Sequence, residues 1–380
     1  MEKTKIKILI IIAGFRFGVS GGVASMLYNY CSHMDTEKFQ FDYLALGYQG
    51  FEPYREELEK KGSHLYCANV VTHGWKRFFQ SVIRIYSFLQ KHPDYDIVHA
   101  NSGAMRQVLM MALAARLSGC KAIIVHSHSA MRLSKIRKGF YSILNYLFYF
   151  CTDKYVACSE MAAKSMFPHG VIKNNKWCFL PNAIDVSKFI FDSNSRKKIR
   201  KEFLIKENEL VIGHVGRFNE PKNHEFLLNI FYEVSKHDKN AVLLLVGTGD
   251  LLETIKDKAK QLGILNRVKF VGQRSDVNEL LQAMDVFVFP SFFEGLGMSV
   301  IEAQASGLPT LASDRIPIKE TKITDIIQYL PLGNQREWAK AIFDLAEKGH
   351  TIDKSQEVIK AGYDINSATN LLEKIYVSML

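Results

Sequence analysis

Two glutamates eight residues apart, Glu294 and Glu302, flank a glycine-rich loop and the start of an apolar segment with helical spacing. The short apolar run Val286–Phe289 stops at Pro290, which predicts a strand, a loop and a helix N-terminus in that order. Free amides and the dipole at a helix N-terminus favour an anion such as phosphate. Carboxylates beside such a site would repel a bare phosphate, but they can accept hydrogen bonds from sugar hydroxyls. The pattern therefore predicts a site for a phosphate with a sugar on each side, that is, a nucleotide-sugar.

Two cations, Arg217 and Lys222, closely follow the apolar strand candidate Leu210–Val215. In parallel α/β sheets the strand ends deliver side chains to the crevice where ligands bind. Two cations there can neutralise a diphosphate, and each charge-assisted hydrogen bond contributes roughly 1.5–3 kcal/mol. The alternative interpretation is an arginine and a lysine in a solvated loop.

Apolar strand candidates alternate with helix candidates along the whole chain of 380 residues, a length that suits two domains. This alternation predicts parallel sheets covered by helices, in two consecutive Rossmann-like halves. The segment Leu180–Phe189 reads as the start of the linker between them. The predicted strands are Ile6–Ala13, Phe41–Ala45, Ile97–Ala100, Ala122–Val125, Tyr155–Cys158, Leu210–Val215, Ala241–Val246, Val268–Val271, Val286–Phe289 and Thr310–Ala312. Helices are predicted at Phe51–Lys61, Trp75–Lys91, Ala104–Leu117 and from about Met298 to Ser306.

The apolar N-terminal run Ile6–Ala13 contains Lys7 and is followed at once by Arg16, so we expect a buried first strand rather than a signal peptide. The aromatic-rich stretch Phe140–Cys151 is too short to span a bilayer, and no transmembrane helix is expected. Six cysteines lie in or beside apolar runs without C-x2-C pairs. This usage indicates reduced thiols in the cytosol, and neither a disulfide framework nor a zinc site.

The net charge of +10 is unevenly distributed, because residues 1–180 hold 23 Lys and Arg against 12 Asp and Glu. Such an excess in the first half could serve nucleic acid, an anionic substrate or an anionic membrane. The basic run Arg132–Lys138 precedes an apolar aromatic segment that ends at Phe148, which fits a helix lying on a bilayer surface. A partly buried helix with a solvated basic end fits equally well. Nucleic acid is not expected as a partner, since no basic stripe is interleaved with exposed aromatics.

The sequence around Glu294 and Glu302 resembles the E-x7-E signature of retaining glycosyltransferases of family 4, which have the GT-B fold. The resemblance covers nearly the whole chain. It implies an α/β protein of two Rossmann-like domains whose parallel sheets face a central cleft. The implied parts are an acceptor-binding domain at 1–182, a nucleotide-sugar-binding domain at 183–365, and a C-terminal helix at 366–380 that returns to the first domain.

The resemblance also implies a role for each matching residue. Glu294 would hold hydroxyls of the donor sugar and Glu302 those of the ribose. Arg217 and Lys222 would hold the diphosphate and stabilise the departing nucleotide. Further donor contacts are implied at Gly21, Gly22, Gly216, Gly247, Gln273, Arg274, Gly295, Leu296, Gly297 and Met298. The chain departs from the family pattern at Ala183, where glycine is usual, and at Asp250, which replaces a common proline.

Two histidines, His126 and His128, end the strand candidate that begins at Ala122, and alternation places both on one face. The family carries a histidine at this strand end that approaches the donor sugar. Spacing favours His128, with His126 as its rival, and a pair of structural histidines is the other interpretation. A metal site is not expected, because no Asp-x-Asp or third ligand accompanies the pair. The resemblance implies that no metal and no cofactor is needed.

Together these features predict a retaining, metal-independent glycosyltransferase of the type that builds bacterial capsular polysaccharide or exopolysaccharide. The expected donor is a nucleotide-sugar, UDP-linked rather than GDP-linked, and the expected acceptor is a lipid-linked saccharide. We expect a cytoplasmic protein associated peripherally with the inner face of the cell membrane through its basic N-terminal domain. A GT-B sugar-nucleotide epimerase and a non-catalytic nucleotide-sugar-binding assembly partner are the alternatives.

Overall fold

The computed structural model describes residues 5–13, 22–47, 54–70, 74–128, 146–350 and 353–380. It divides the chain into two compact units. The first unit comprises Met1–Ala183 together with Ile365–Leu380, and the second comprises Ile184–Asp364. The chain therefore returns to the first unit for its last helix, and each predicted boundary differs from the observed one by a single residue.

Each unit contains one parallel sheet, and the predicted α/β fold class is confirmed. The first sheet has seven strands in the order β3-β2-β1-β4-β5-β6-β7, and the second has six in the order β10-β9-β8-β11-β12-β13. The strands of the first sheet are β1 (Ile6–Ile12), β2 (Phe39–Ala45), β3 (Leu65–Cys67), β4 (Ile97–Ser102), β5 (Ala122–Ser127), β6 (Lys154–Ala157) and β7 (Cys178–Phe179). Those of the second are β8 (Val211–Val215), β9 (Val242–Val246), β10 (Val268–Gly272), β11 (Val286–Phe289), β12 (Thr310–Ser313) and β13 (Ile327–Leu330).

Helices connect the strands and cover the sheets. In chain order they are α1 (Gly22–Ser32), α2 (Arg55–Lys60), α3 (Gly74–Lys91), α4 (Met105–Leu117), α5 (146–151), α6 (Glu160–Met166), α7 (His169–Lys173), α8 (Ser193–Glu202), α9 (His224–His237), α10 (Leu252–Gln261), α11 (Val277–Gln282), α12 (Met298–Ala305), α13 (Ile318–Thr321), α14 (Gln335–Ala346), α15 (Ser355–Lys360) and α16 (Ile365–Val377). Within the described ranges, no helix is both long and apolar enough to cross a membrane.

The central strand β1 shows why these strands are almost entirely apolar. Ile8 and Ile10 point into a core shared with α1 and α16. Leu9 and Ile11 point to the opposite face and are equally buried. A parallel sheet covered on both faces needs apolar residues at successive positions rather than at alternate ones. The N-terminal apolar run is therefore the predicted first strand.

The second sheet has a separate core on each of its faces. On one face, Ile212 of β8 and Val288 of β11 pack with α9 and α14. On the other, Val211 and Phe287 of the same strands pack with α8, α11 and α12. β8 and β11 are adjacent and parallel, so the loops that follow them leave the same edge of the sheet.

The ten predicted strands are all present, and within the described ranges the strands that the prediction missed lie at sheet edges: β3, β7 and β13. These three strands are short, at two to four residues, and partly exposed. The predicted helix at Phe51–Lys61 is observed as Arg55–Lys60, with residues 51–53 outside the described ranges. The proposed membrane-surface segment Arg132–Phe148 also lies mostly outside them.

Candidate functional site

An ion pair between Lys222 and Glu294 lies at the carboxyl edge of the second sheet. The Lys222 Nζ is 2.9 Å from Glu294 Oε1, and the two side chains are only 17% and 14% exposed. Lys222 Nζ also lies 4.4 Å from the ring centroid of Phe289, the last residue of β11. The sequence placed both charged residues at one site but did not predict that they pair. Half-buried and beside an aromatic ring, the pair is less screened than a surface ion pair.

Backbone hydrogen bonds hold the two loops that carry this pair. The amide of Phe292, two residues before Glu294, donates to the carbonyl oxygen of Pro221 at 2.8 Å. The side-chain amide of Asn223 donates to the carbonyl oxygen of Pro290 at 3.1 Å, and Asn223 adopts a positive φ of 54°. Asparagine tolerates this conformation better than most residues. The loops after β8 and β11 are thus fixed to each other on both sides of the ion pair.

The predicted glycine turn at Gly247 packs directly against the loop after β8. The amide of Phe218 donates to the carbonyl oxygen of Thr248 at 2.9 Å. Gly247 has a φ of 137°, and a Cβ there would lie 2.2 Å from the carbonyl oxygen of Gly216. A Cβ on Gly216 would in turn lie 3.2 Å from the Lys222 side chain. Only glycine allows the two loops to approach this closely beside Lys222.

The N-terminus of α12 provides the predicted amides. Gly297 precedes the helix with a φ of 93°, a conformation that favours glycine. The amides of Leu296, Gly297 and Met298 donate no hydrogen bond within the part of the chain that the structure describes. The following turns are regular, with the Val300 amide bonded to the carbonyl oxygen of Gly297. The arrangement leaves three donors and the positive end of a helix dipole for an anion.

Glu302 lies on α12, one turn beyond these amides, and its carboxyl has no ion-pair partner among the described residues. The residue retains some exposed surface, but burial of the carboxyl raises its pKa to about 7, against a weaker lowering by the charge of Lys222. A carboxylate with this pKa near a cation and without a hydrogen-bond donor is poised to accept donors from a ligand.

Three further predicted donor residues show different surroundings. The side chains of Arg217 and Gln273 are exposed and make no hydrogen bond or ion pair with any described residue. Arg274 is instead fully engaged: its Nη1 lies 2.6 Å from Glu202 Oε1, and its Nη2 lies 2.6 Å from Asp276 Oδ2.

The remaining predicted donor contacts are glycines. Gly295 is buried in the loop next to Glu294. Gly21 lies outside the described residues, and Gly22 begins α1.

In the first unit, His126 and His128 lie at the carboxyl end of β5 and their ring centroids are 3.9 Å apart. The predicted shared face is therefore correct. A third ring, His99 of β4, stacks on His126 with a centroid distance of 5.3 Å. Burial lowers the pKa of His99 and of His128 to about 3, and lowers that of His126 well below its ordinary value. The three rings are consequently neutral at physiological pH.

Asn101 fixes the tautomer of His128. Its side-chain amide donates to the carbonyl oxygen of His99 at 2.8 Å, and its Oδ1 lies 3.0 Å from His128 Nε2. Since an amide oxygen only accepts, His128 Nε2 carries the proton. His99 and Asn101 were not identified from the sequence. Alternation in Ile97-Val-His-Ala-Asn101 places both on one face of the strand beside β5, which would have indicated them.

Among the residues that the structure describes, no group of three or more His, Cys, Asp or Glu side chains could hold a metal ion. Stacking and burial make His99, His126 and His128 a packed cluster of neutral rings. At the ion-pair site of the second unit, positive charge comes from Lys222 and the N-terminus of α12, and Arg217 lies in the same loop as Lys222.

Two family models match the chain in succession. The model described as "Glycosyltransferase Family 4" matches residues 20–188, and the one described as "Glycosyl transferases group 1" matches residues 195–364. Together they cover most of the sequence, and their division falls close to the boundary between the two structural units.

Curated relatives and solved structures agree with these matches. EpsF of Bacillus subtilis (strain 168), a glycosyltransferase by name, is 29% identical over 99% of this chain and 97% of its own length. The UDP-Gal:alpha-D-GlcNAc-diphosphoundecaprenol alpha-1,3-galactosyltransferase of Escherichia coli is 28% identical over 62% of each chain. Anabaena Alr3699/HepE, solved in complex with UDP and glucose, superposes with a TM-score of 0.78 at 18% identity, covering 98% of this chain and 100% of that one. From these matches and the two-sheet architecture, the chain belongs to family 4 of the glycosyltransferases and has the GT-B fold.

Proposed function

We propose that this glycosyltransferase is a retaining, metal-independent enzyme that moves a sugar from a UDP-sugar to a lipid-linked saccharide in capsule or exopolysaccharide synthesis. The observation that carries the proposal is the placement of Lys222 beside the free amides that begin α12. Lys222 is ion-paired with Glu294, and its charge lowers the pKa of Glu302. One cation, two carboxylates and an anion site fit a sugar, a diphosphate and a ribose in sequence.

Each group has a defined part in the proposed reaction. Lys222, Arg217 and the α12 amides bind the diphosphate and stabilise its charge as the bond to the anomeric carbon breaks. Glu294 orients the donor sugar by accepting hydrogen bonds from the sugar hydroxyls, and Glu302 accepts hydrogen bonds from both ribose hydroxyls. The acceptor oxygen attacks from the face that the diphosphate leaves, and its proton passes to the departing phosphate oxygen. His128, neutral and held by Asn101, is the proposed histidine contact to the donor sugar.

The comparisons and the charge distribution of the chain support the proposed substrates. UDP is supported by the nucleotide in the superposed Anabaena structure, and a lipid-diphosphate acceptor by the name of the Escherichia coli relative. The basic first half of the chain fits an anionic acceptor presented by a membrane. Capsule and exopolysaccharide synthesis is supported by the Staphylococcus aureus relative named as a capsular polysaccharide glycosyltransferase. With these substrates, the proposed location of the enzyme is the cytoplasm, at the inner face of the cell membrane.

Nucleotide release from a panel of UDP-sugars and GDP-sugars tests the function, with EDTA present and with or without membrane lipid extract. We expect one UDP-sugar to be consumed, release to increase with lipid, and EDTA to have no effect. Conversion of the sugar without acceptor would show an epimerase. Tight binding of the nucleotide-sugar without any turnover in the presence of lipid would show a binding protein, and loss of activity in EDTA would overturn metal independence.

Charge removal at the site sharpens this test. Lys222→Ala and Arg217→Ala should each raise the barrier by about 2–4 kcal/mol, which is roughly 30- to 1,000-fold in kcat, since each removes a preorganised stabiliser of the leaving group. Lys260→Ala, which removes an exposed lysine whose side chain pairs with no described residue, is the matched control in the same unit and should leave the rate unchanged. Equal rates for Lys222→Ala and Lys260→Ala would contradict the assigned role.

A further inference from the structure

The carboxylate of Glu294 depends on Lys222 to balance its charge. Glu294 Oε1 is buried and accepts no hydrogen bond from any described residue, so its charge is balanced by the Lys222 ammonium 2.9 Å away. Both side chains are largely buried, and a charge in such surroundings is costly without a partner. A ligand that draws Lys222 away must therefore also give Glu294 a replacement.

The two loops keep these charged residues together. The amide of Phe292, two residues before Glu294, donates to the carbonyl oxygen of Pro221, which directly precedes Lys222. The Lys222 ammonium also lies over the ring of Phe289, at the end of β11. Because the loops are bonded to each other, Glu294 stays within reach of Lys222. A negatively charged ligand that binds Lys222 therefore competes with Glu294 for it.

The Glu294 side chain also lies beside the predicted anion site. A Cβ on Gly297, the residue that precedes α12, would lie 3.9 Å from Glu294 Cγ and 3.5 Å from the Phe289 ring. Gly297 supplies one of the three amides left for an anion. A phosphate bound by these amides and by Lys222 would thus have the Glu294 carboxylate as a neighbour, and the two negative charges would repel each other.

A free nucleotide and a nucleotide-sugar differ in what they offer to this carboxylate. The terminal phosphate of UDP gains a second negative charge above about pH 6, and at pH 8 it has no hydroxyl that could donate to Glu294. In a UDP-sugar the same phosphate is esterified and keeps a single charge. The attached sugar brings hydroxyls that donate to a carboxylate. Only the nucleotide-sugar therefore compensates Glu294 when Lys222 turns to the diphosphate.

We propose that Glu294 determines the preference of this site for the nucleotide-sugar over the free nucleotide, because it competes with the diphosphate for Lys222. This inference rests on the proposed function, in which UDP is the product that must leave. Once the sugar has been transferred, Glu294 loses its hydroxyl donors and pairs with Lys222 again. The renewed ion pair weakens the hold on UDP, so Glu294 promotes product release in addition to orienting the donor sugar.

Calorimetric titration with UDP at pH 8 tests this role without any donor sugar. Glu294→Gln keeps the size of the side chain but removes its charge, and it should bind UDP about tenfold more tightly than the parent protein. Glu294→Asp keeps the charge and should bind UDP within about threefold of the parent. A residue that merely packed the loop would be disturbed more by the shorter aspartate than by glutamine, so the two variants separate charge from packing.

The UDP-sugar that the release assay identifies provides a second measurement. Glu294→Gln should bind this donor about tenfold more weakly than the parent does, since a neutral amide is a poorer acceptor for sugar hydroxyls than a carboxylate. The ratio of the dissociation constants for UDP and for the UDP-sugar should therefore change about a hundredfold between parent and variant.

Glu220→Gln is the matched control. Glu220 lies two residues before Lys222, but its exposed carboxylate pairs with no described residue, so this variant should change UDP affinity by less than about twofold. The inference fails if Glu294→Gln binds UDP no more tightly than the parent, or if Glu220→Gln tightens binding equally. Neither result touches the transfer reaction. UDP binding without turnover of any UDP-sugar would overturn the transfer reaction alone, and a parent protein that binds no UDP would overturn both.

Discussion

Glu302 is the residue at which ligand binding and stability oppose each other most directly. Desolvation raises the pKa of its carboxyl from 4.5 to about 7, so the folded protein holds a proton there that the unfolded chain has released. Folding usually lowers the pKa of a carboxyl group, so the effect of pH on stability is reversed here. The free-energy cost of burying the ionised carboxylate is absent below about pH 4.5, grows as the pH rises, and is complete above about pH 7.

Glu302→Gln should therefore stabilise the protein without ligand. At pH 8 we expect a gain of about 1–3 kcal/mol in the free energy of unfolding, and at pH 4 no difference, because the removed group is then neutral in both states. Thermal unfolding across this pH range measures the effect. Glu347→Gln, at an exposed glutamate whose carboxylate pairs with no described residue, is the control and should change stability at neither pH. A variant less stable than the parent at pH 8 would contradict the claim that the ionised Glu302 carboxylate destabilises the folded protein.

The same substitution should weaken nucleotide binding, since a glutamine accepts hydrogen bonds from two ribose hydroxyls less well than a carboxylate does. We expect UDP affinity of the parent protein to increase as the pH rises through about 7, because the ionised form is the better acceptor. The variant should lose this dependence and bind about tenfold more weakly at pH 8. Calorimetric titration with UDP at pH 6 and pH 8 distinguishes these outcomes.

At the scale of elements, the site depends on how closely the loops after β8 and β9 approach each other. Gly247 combines a positive φ with a gap that no Cβ can occupy, since the carbonyl oxygen of Gly216 would be 2.2 Å away. The neighbouring loop atoms belong to the backbone and cannot rotate aside as a side chain can. A change at Gly247 therefore acts on Gly216 and on Lys222 through the backbone.

Gly247→Ala should destabilise the second unit by more than the backbone strain of an alanine at positive φ alone would. Gly263→Ala is the matched control, since Gly263 has a φ of 68° and nothing within 4 Å of its Cβ position. We expect about 1 kcal/mol of destabilisation at Gly263 and about 2–4 kcal/mol at Gly247, where strain and overlap add. Urea unfolding compares the two. Equal effects would mean that the two loops separate without cost.

At the scale of the whole molecule, the chain ends in the unit where it begins. Ile365, Ala368, Leu372 and Tyr376 of α16 are buried in the core with β1 and β2. The Tyr376 hydroxyl lies 2.8 Å from His99 Nδ1, and both residues are fully buried. The last helix thereby contacts the histidine cluster that also contains His128.

Tyr376→Phe removes one buried hydrogen bond and leaves His99 Nδ1 without a partner. We expect a loss of about 1–3 kcal/mol in the free energy of unfolding of the first unit, because an unsatisfied buried group loses its full solvation. Tyr232→Phe, at a half-buried tyrosine whose hydroxyl bonds to no described residue, is the control and should be near neutral. Thermal unfolding of both variants checks this. An unchanged melting temperature for Tyr376→Phe would show that the bond contributes nothing.

The strands and the signature residues could be predicted from local pattern because each depends on near neighbours in the chain. Continuous apolar runs indicated buried parallel strands, and Pro290 with Gly297 indicated where β11 ends and α12 begins. The edge strand β3, which is three residues long and only partly buried, was missed. The placement of Arg274 was predicted only by analogy, and its two carboxylate partners, one of them 72 residues earlier in the chain, were not foreseen.

Periodicity and composition specify the two α/β units and the basic first half of the chain. The family was indicated by the resemblance of the segments around Glu294, Glu302, Arg217 and Lys222 to its signature. Tertiary packing pairs Lys222 with Glu294, brings Tyr376 to His99 in the histidine cluster, and leaves an apolar stripe of α3 uncovered. Such contacts join residues far apart in the chain, so they follow from strand order and helix packing, which no local pattern specifies.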